Sequence, residues 1–126
     1  MIVGIGVDVC SVERWESMIQ RRPGVVARLL HPGEAARNPT SQAARFAAKE
    51  ALAKALGAPL GLGWLDAEVT VAPSGEPAIT VRGSVAARAA QLGVTSIHLS
   101  LSHDAGLAMA FVVCEGPGPD SPRRGG

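Results

Sequence analysis

The chain has 126 residues, a formal net charge of +1, and a composition that is 47% hydrophobic but only 3% aromatic. This length allows one domain with a modest core, which the shortage of aromatic residues leaves to Val, Leu, Ile and Ala. The near-neutral charge argues against nucleic acid or an anionic membrane as a partner, and no apolar run is long enough to span a membrane.

Two further features of the sequence predict a cytoplasmic protein. No signal-peptide pattern opens the chain. Cys10 and Cys114 are far apart and lack the spacing of a metal site or a redox motif, which fits a reducing compartment.

Alternation predicts a first strand over residues 2–9. One face of this strand carries Val3, Ile5, Val7 and Val9, and the other carries Gly4, Gly6 and Asp8. Glycine weakens a strand, so the two glycines indicate close approach of a backbone or a ligand beside Asp8. The alternative is that they only admit a packed helix while Asp8 caps the next turn.

Ser11 is predicted to cap a helix that ends before Pro23-Gly24, and residues 25–30 are predicted to form a second short helical piece. The buried stripe of the first helix is expected to contain Val12, Trp15, Met18 and Ile19. Between residues 17 and 45 the chain carries five arginines and one acid, Glu34. Such a run is usually a solvated face, but as a binding surface it would suit an acidic protein.

After a turn at residues 31–33, a central helix is predicted to begin at Asn38-Pro39 and to end at Gly57. Phe46, Glu50 and Lys54 follow one another at i, i+4 spacing on one ridge of this helix, and the alanines on its other side allow close contact with a neighbour. The chain has only two lysines, Lys49 and Lys54, and they flank Glu50. The pattern indicates either an exposed ion pair or a functional ammonium group.

The second half of the chain predicts strands at 68–71 and 78–82, a helix at 84–92, and strands at 97–102 and 107–114. We therefore predict an α+β fold, a small single domain over residues 1–115 with the central helix packed on antiparallel strands. Residues 116–126 are rich in Gly and Pro and are predicted to be a disordered tail.

Three motifs together resemble the phosphopantetheinyl transferases, specifically the short holo-acyl-carrier-protein synthase type, over roughly residues 1–115. The motifs are Gly4-Ile5-Gly6-Val7-Asp8 with Arg14 downstream, the helical segment from Arg45 to Ala55, and Leu99-Ser100-Leu101-Ser102-His103. The resemblance implies the fold of that family and a Mg²⁺-dependent transfer of 4'-phosphopantetheine from coenzyme A to a serine of an apo acyl carrier protein, in support of fatty acid biosynthesis.

The resemblance also implies a role for each matching residue. Asp8 and Glu50 correspond to metal ligands. The residues implied in catalysis are Glu50, Lys54 and His103. Coenzyme A binding is implied for Arg45, Lys54, Ser102 and His103. Binding of the acidic carrier protein is implied for Arg14, Met18, Arg21 and Arg22. A homotrimer with active sites between subunits is implied as well.

The chemistry of these residue types agrees with that assignment. Mg²⁺ prefers oxygen ligands and is held by one or two carboxylates together with substrate phosphates and waters, a number that Asp8 and Glu50 supply. Either Glu50 or a metal-bound water could take the proton of the acceptor serine, and Lys54 could stabilise the departing phosphate. Two departures from the family pattern are Gly75-Glu76-Pro77, where many relatives have Gly-Lys-Pro, and a short connection over residues 34–46.

Two other functions compete with this hypothesis. The same transfer could serve a carrier domain of a polyketide or peptide synthase, because carrier proteins in general are acidic around the acceptor serine. Alternatively, the chain could be a non-catalytic α+β binding domain, which would bind neither Mg²⁺ nor coenzyme A in a calorimetric titration.

Overall fold

The computed structural model describes residues 1–119, which form five strands, five α-helices and one short 3-10 helix. The strands are β1 (Ile2–Ser11), β2 (Ala67–Val71), β3 (Pro77–Val81), β4 (Ser96–Asp104) and β5 (Leu107–Glu115). The helices are α1 (Val12–Arg21), α2 (Gly24–Leu29), α3 (Pro32–Ala35), α4 (Pro39–Ala55) and α5 (Gly83–Gln91), and the 3-10 helix spans Trp64–Asp66. The predicted α+β class is confirmed.

The main sheet is antiparallel with the order β1-β5-β4, and β2 and β3 form a separate hairpin. Asp8 pairs with Ala110 of β5, which in turn pairs with Leu101 of β4, so these three side chains lie on one face of the sheet. Val7 and Phe111 pair on the opposite face. Helix α4 covers the first of these faces.

The glycines of β1 determine which face receives α4. A Cβ added at Gly4 or Gly6 would collide with the carbonyl oxygen of Ala55 or Ala51, so the helix lies directly on the strand backbone. The backbone that approaches is that of α4, so the glycines admit a packed helix, as the alternative hypothesis held. Asp8 does not cap α1, because the cap is Ser11, whose side chain accepts a hydrogen bond from the Arg14 amide.

Two apolar clusters pack against α4, one along its C-terminal part and the other along its N-terminal part. The larger one is formed by α4, β5, β2 and α5 and includes Leu52, Leu56, Val69 and Val112. The smaller one joins α1 and α2 to α4 around Trp15, Leu29 and Leu30. The predicted stripe of α1 faces this second cluster, with Trp15 buried and Val12, Met18 and Ile19 partly buried.

A short helix, α3, replaces the turn that the sequence predicts at residues 31–33. Its first turn is closed by the Glu34 carboxylate, which accepts a hydrogen bond from the His31 amide at 2.9 Å. Glu34 is only 1% exposed. A carboxylate buried to this extent requires a charged partner, which α4 provides.

The C-terminal segment continues to make contacts beyond the predicted domain end at residue 115. The Gly116 amide donates to the Met1 carbonyl at 3.0 Å, and the Gly118 amide donates to the Gly93 carbonyl at 3.3 Å. Residues 120–126 of the predicted tail lie outside the described residues. Among residues 1–119, none of the helices combines the length and the apolar character that crossing a membrane requires.

Candidate functional site

Strand β1 and helix α4 bring Asp8, Glu50 and Lys54 together. The Lys54 ammonium lies 3.0 Å from a carboxylate oxygen of Asp8 and 3.0 Å from the carbonyl oxygen of Val7. Glu50 lies one helical turn before Lys54. Because the glycines of β1 allow α4 to approach so closely, side chains from the strand and the helix meet at this point.

The two carboxylates of this group influence each other. Burial raises the pKa of Glu50, the negative charge of Asp8 raises it further, and the Lys54 ammonium opposes the shift. Burial and the same two carboxylates also raise the pKa of the Cys10 thiol. Such a concentration of negative charge favours a bound cation.

The donor set at this position fits a hard cation that also binds substrate oxygens. In the described residues, no group of three or more His, Cys, Asp and Glu side chains is arranged to hold a metal. Asp8 and Glu50 could supply two carboxylate ligands and leave the other positions to phosphates and waters, which is the arrangement that Mg²⁺ favours.

A partly open cavity of about 270 Å³ lies beside Glu50. One wall is α4, and the opposite wall is the segment of residues 58–64 that follows the helix. The remaining lining is apolar and comes from Ala67 and Val85. Trp64, at the end of the segment, stacks on Phe46 of α4 with ring centroids 5.4 Å apart. The cavity could take a flexible, largely apolar group whose charged end lies at Glu50.

A second cavity, of about 290 Å³, lies at the N-terminus of α4. It is polar, and its lining includes Arg45, Ser102 and His103. Arg45 is only 5% exposed, and its Nε is a buried donor without a partner in the described part of the chain. A buried arginine near the start of a long helix is suited to binding an anion. By strand alternation, His103 lies on the α4 side of the sheet and Ser102 on the opposite face.

The four residues implied in carrier-protein binding lie on or directly after α1. Arg14, Arg21 and Arg22 are exposed, and Met18 is partly buried against the α1–α2 cluster. Arg14 and Arg21 line a shallow depression with Ser11, Glu13 and Ser17. The structure thus separates the predicted site residues into three groups: this face of α1, the Asp8–Glu50–Lys54 group, and the Arg45–Ser102–His103 group.

The two lysines that flank Glu50 have different environments. Lys54 is about half exposed, whereas the Lys49 ammonium is buried between the Glu34 carboxylate at 2.8 Å and the Leu29 carbonyl at 2.6 Å. Burial lowers the pKa of Lys49, and its contact with Glu34 opposes that shift. Only Lys54 fits the hypothesis of a functional ammonium group. Sequence analysis had noted Glu34 only as an isolated acid in a basic run.

Comparisons with known proteins show the family to which the chain belongs. The family model of the 4'-phosphopantetheinyl transferase superfamily matches residues 4–112. The chain is 58% identical over 117 residues to the holo-[acyl-carrier-protein] synthase of Cutibacterium acnes, covering 92% of this chain and 100% of that protein. It is 57% identical over 121 residues to the synthase of Streptomyces coelicolor, covering 91% and 98%.

Solved structures with the same fold include two bacterial synthases. The Helicobacter pylori holo-[acyl-carrier-protein] synthase in complex with coenzyme A superposes with a TM-score of 0.78 at 34% identity, over 88% of this chain and 99% of that one. The Neisseria meningitidis synthase gives a TM-score of 0.82 at 29% identity, over 91% and 99%. The chain therefore belongs to the 4'-phosphopantetheinyl transferase superfamily and, within it, to the holo-[acyl-carrier-protein] synthase type.

Proposed function

We propose that this protein is a cytoplasmic holo-[acyl-carrier-protein] synthase that uses Mg²⁺ to transfer 4'-phosphopantetheine from coenzyme A to a serine of an apo acyl carrier protein, in support of fatty acid biosynthesis. The observation that carries the proposal is the meeting of Asp8, Glu50 and Lys54 beside a largely apolar cavity that Glu50 lines. The relatives at 58% and 57% identity bear the same name.

Asp8 and Glu50 would hold the metal ion. When bound, Mg²⁺ neutralises the pyrophosphate of coenzyme A and polarises the phosphorus that is attacked. Burial is the main cause of the raised pKa of Glu50, and the added effect of the Asp8 charge supports this assignment because it places the two carboxylates near each other. Two carboxylates and a pyrophosphate together supply the oxygen ligands that the ion prefers.

The protein's own groups then accept one proton and stabilise one leaving group. The serine oxygen of the carrier bonds to the phosphorus that bears the pantetheine, and the bond from that phosphorus to the adenosine bisphosphate breaks with its electron pair. Glu50 accepts the serine proton directly or through a water. Lys54 stabilises the charge on the departing bisphosphate.

The cavity beside Glu50 suits the pantetheine arm, and the cavity lined by Arg45 and His103 suits a phosphate of the nucleotide. Arg45 and Lys54 are nine positions apart on α4, which at roughly 1.5 Å per residue corresponds to about 13 Å along the helix axis. As the family resemblance implies, we place the complete site between subunits, with Arg45 and His103 of one subunit completing the Asp8–Glu50 group of another.

The open face of the main sheet supports a homotrimer that would bring these groups together. Six large apolar side chains on β1 and β5 are 42% to 59% exposed, and they are Ile5, Val7, Val9, Leu107, Met109 and Phe111. A contiguous apolar surface of this kind is typical of an interface between chains. Burial of this face against further copies would leave α1 free for the carrier protein.

The proposal is tested by incubating the protein with coenzyme A, Mg²⁺ and an apo acyl carrier protein, and then measuring the intact mass of the carrier. We expect the carrier to gain the mass of one phosphopantetheine group, and we expect no gain with the Asp8→Asn variant. An unchanged carrier with the wild-type protein, together with no binding of coenzyme A, would instead indicate a non-catalytic binding domain.

A further inference from the structure

The segment of residues 58–64, which Gly57 joins to α4, forms the outer wall of the cavity beside Glu50. In the described part of the chain, the hydrogen bonds that join this segment to other elements lie at its two ends. At its start, the Gly57 amide donates to the Lys54 carbonyl at 3.0 Å and the Ala58 amide donates to the Ala53 carbonyl at 2.7 Å. Leu60, in the middle, is fully exposed. The position of the wall therefore depends on how its far end is held.

The far end is held by Ser84 at the start of α5 and by the Asp66 amide, which donates to the Gly63 carbonyl at 3.1 Å. The Gly63 amide donates to the Ser84 hydroxyl oxygen at 2.9 Å, and that hydroxyl donates to the Asp66 carboxylate at 2.6 Å. The same carboxylate oxygen accepts a hydrogen bond from the Ser84 amide at 2.9 Å. These bonds lower the pKa of Asp66, so the carboxylate remains ionised and acceptor-only over the physiological range.

The backbone around this contact is shaped to admit the Asp66 carboxylate. Gly83 has a φ of +50°, and a Cβ at that position would lie 2.7 Å from the carboxylate. A glycine is required there both for the backbone conformation and for the space. Asp66 ends the 3-10 helix that carries Trp64, and Ser84 precedes Val85, so both ends of the contact adjoin residues that line the cavity.

We propose that Asp66 and Ser84 are positioning residues that hold the 58–64 wall against α5, and that they thereby set the affinity of the cavity for the pantetheine arm of coenzyme A. This inference rests on the proposed function. The Ser84 hydroxyl is the central group, because it is the only atom that connects the wall directly to the Asp66 carboxylate among the described hydrogen bonds. Neither residue touches the reacting atoms, so the chemical step itself is left to Asp8, Glu50 and Lys54.

The test compares Ser84→Ala with Ser84→Thr, which keeps the hydroxyl group, and with the matched control Ser74→Ala, at an exposed serine in the β2–β3 turn. Removal of a hydroxyl that makes two hydrogen bonds should raise both the KM and the Kd for coenzyme A by about three- to tenfold. We expect kcat to stay within about twofold of wild type, because binding and not chemistry is weakened. Ser84→Thr and Ser74→Ala should behave as wild type.

A second measurement reports on the wall without any substrate. The chain has two tryptophans and no tyrosine, and Trp15 is 3% exposed whereas Trp64 is 37% exposed. Quenching of tryptophan fluorescence by acrylamide therefore reports mainly on Trp64. Ser84→Ala should increase the quenching, and cleavage by chymotrypsin after Leu60 or Leu62 should become faster. Should Ser84→Ala fail to fold, the isosteric pair Ser84→Thr and Ser84→Val provides the same comparison.

Unchanged quenching and unchanged coenzyme A affinity in folded Ser84→Ala would overturn the inference, as would a fall in kcat with no change in KM. The inference would also be overturned if Ser84→Thr, which keeps the hydroxyl group, did not keep the affinity of wild type. The shape of the side chain, and not its hydrogen bonds, would then explain the effect of Ser84→Ala. If wild-type protein binds no coenzyme A in calorimetry, the proposed function fails, and the quenching experiment still decides whether Ser84 holds the wall.

Discussion

At the scale of single residues, the fold opposes the ionisation of Glu50. Burial and the charge of Asp8 raise its pKa above the value that it has in the unfolded chain. A carboxyl group shifted in this direction contributes stability that is fully present below the unfolded pKa and is lost as the pH rises through the folded pKa. At neutral pH the ionised Glu50 therefore lowers the free energy of unfolding, and a bound cation should compensate for it.

The first prediction follows because the ionised Glu50 lowers the stability of the protein but is needed for the transfer reaction. With a chelator at neutral pH, Glu50→Gln should have a Tm at least as high as that of wild type, because the substitution removes an unfavourable charge. Added Mg²⁺ should raise the Tm of wild type but not that of the variant, since a ligand stabilises only the state that binds it. Transfer should fall by about a hundredfold or more in kcat, in line with the loss of a general base and a metal ligand.

Thermal denaturation with and without Mg²⁺, followed by the carrier mass assay, checks this prediction. Glu76→Gln, at an exposed carboxylate in the β2–β3 turn, is the matched control and should resemble wild type in both assays. A clear loss of Tm for Glu50→Gln in chelator, or equal Mg²⁺-dependent shifts in the variant and the wild type, would remove Glu50 from the metal site.

The second prediction concerns the exposed arginines of α1. Reversal of charge by Arg14→Glu and Arg21→Glu should raise the KM for the carrier protein by about tenfold at low salt, because surface charges of opposite sign steer the encounter. The effect should shrink as salt rises, since the charges are screened. Arg28→Glu, at an exposed arginine on α2, serves as the control. A matching loss of coenzyme A affinity would show that the α1 arginines do not act on the carrier alone.

Local periods predict only the parts of the Asp8–Glu50–Lys54 group, because it was the family resemblance that implied that the strand and the helix meet. Strand alternation places Asp8 with Gly4 and Gly6, and i, i+4 spacing places Glu50 with Lys54. The fate of Lys49 could not be predicted in this way, because its burial depends on Glu34 of another helix. Asp66 and Ser84 were missed for the same reason: their contact joins residues that are 18 positions apart.

At the scale of secondary-structure elements, the buried ion pair of Glu34 and Lys49 joins four parts of the fold. The Glu34 carboxylate also accepts hydrogen bonds from the amides of His31 at 2.9 Å and Val69 at 3.0 Å, and Lys49 donates to the Leu29 carbonyl. The pair thus connects α3, α4 and β2 with the end of α2. Both side chains are at most 2% exposed, so neither charge can be replaced by water without rearrangement.

The third prediction is that Lys49→Met destabilises the protein by about 3 to 5 kcal/mol, because it leaves the Glu34 carboxylate buried without its cation. The double variant Glu34→Gln/Lys49→Met should recover part of this loss, since a neutral amide at position 34 can still accept a hydrogen bond from the Val69 amide. Urea unfolding of the three proteins checks this. A double variant that is less stable than Lys49→Met alone would contradict the assignment of the cost to an unpaired charge.

Sequence patterns predicted the elements that have a clear period or a clear cap. Helix α1 begins after Ser11, α4 begins after Asn38, and the strands β1, β4 and β5 occur where alternation indicates them. The one-turn helix α3 and the 3-10 helix at Trp64–Asp66 are too short to show a period, and both depend on carboxylates that bind backbone amides far along the chain. These two helices could be predicted only if their tertiary contacts were already known.

At the scale of the whole molecule, the distribution of apolar residues on β1 predicts association. Alternation placed Val7 and Val9 on one face of the strand, and such a face is usually buried within the domain. The glycines instead direct α4 to the other face, which leaves the valines exposed beside Phe111 of β5. This outcome could not be predicted from the pattern of a single strand, because it depends on which face the helix occupies.

The last prediction is that the open face of the sheet assembles the active site. Val7 and Phe111 are paired near the middle of this face, so Val7→Asp and Phe111→Asp should each introduce a buried, unpaired charge into an interface. Light scattering after size exclusion should show a fall from a trimer to a single chain. Far-ultraviolet circular dichroism should be unchanged, because both side chains are exposed within one chain. Val71→Asp, at an exposed apolar residue of β2, is the matched control.

Activity should fall with assembly, by about a hundredfold or more in kcat/KM, because Arg45 and His103 of a neighbouring subunit would no longer reach the phosphates held at Asp8 and Glu50. A mixing experiment separates this cause from simple instability. Glu50→Gln subunits and Arg45→Ala subunits, each inactive alone, should regain activity when they are refolded together, since a mixed trimer contains a site with both intact groups. If Val7→Asp is a fully active monomer, or if the mixture of inactive subunits stays inactive although mixed trimers form, each subunit carries a complete site of its own and the proposed assembly is wrong.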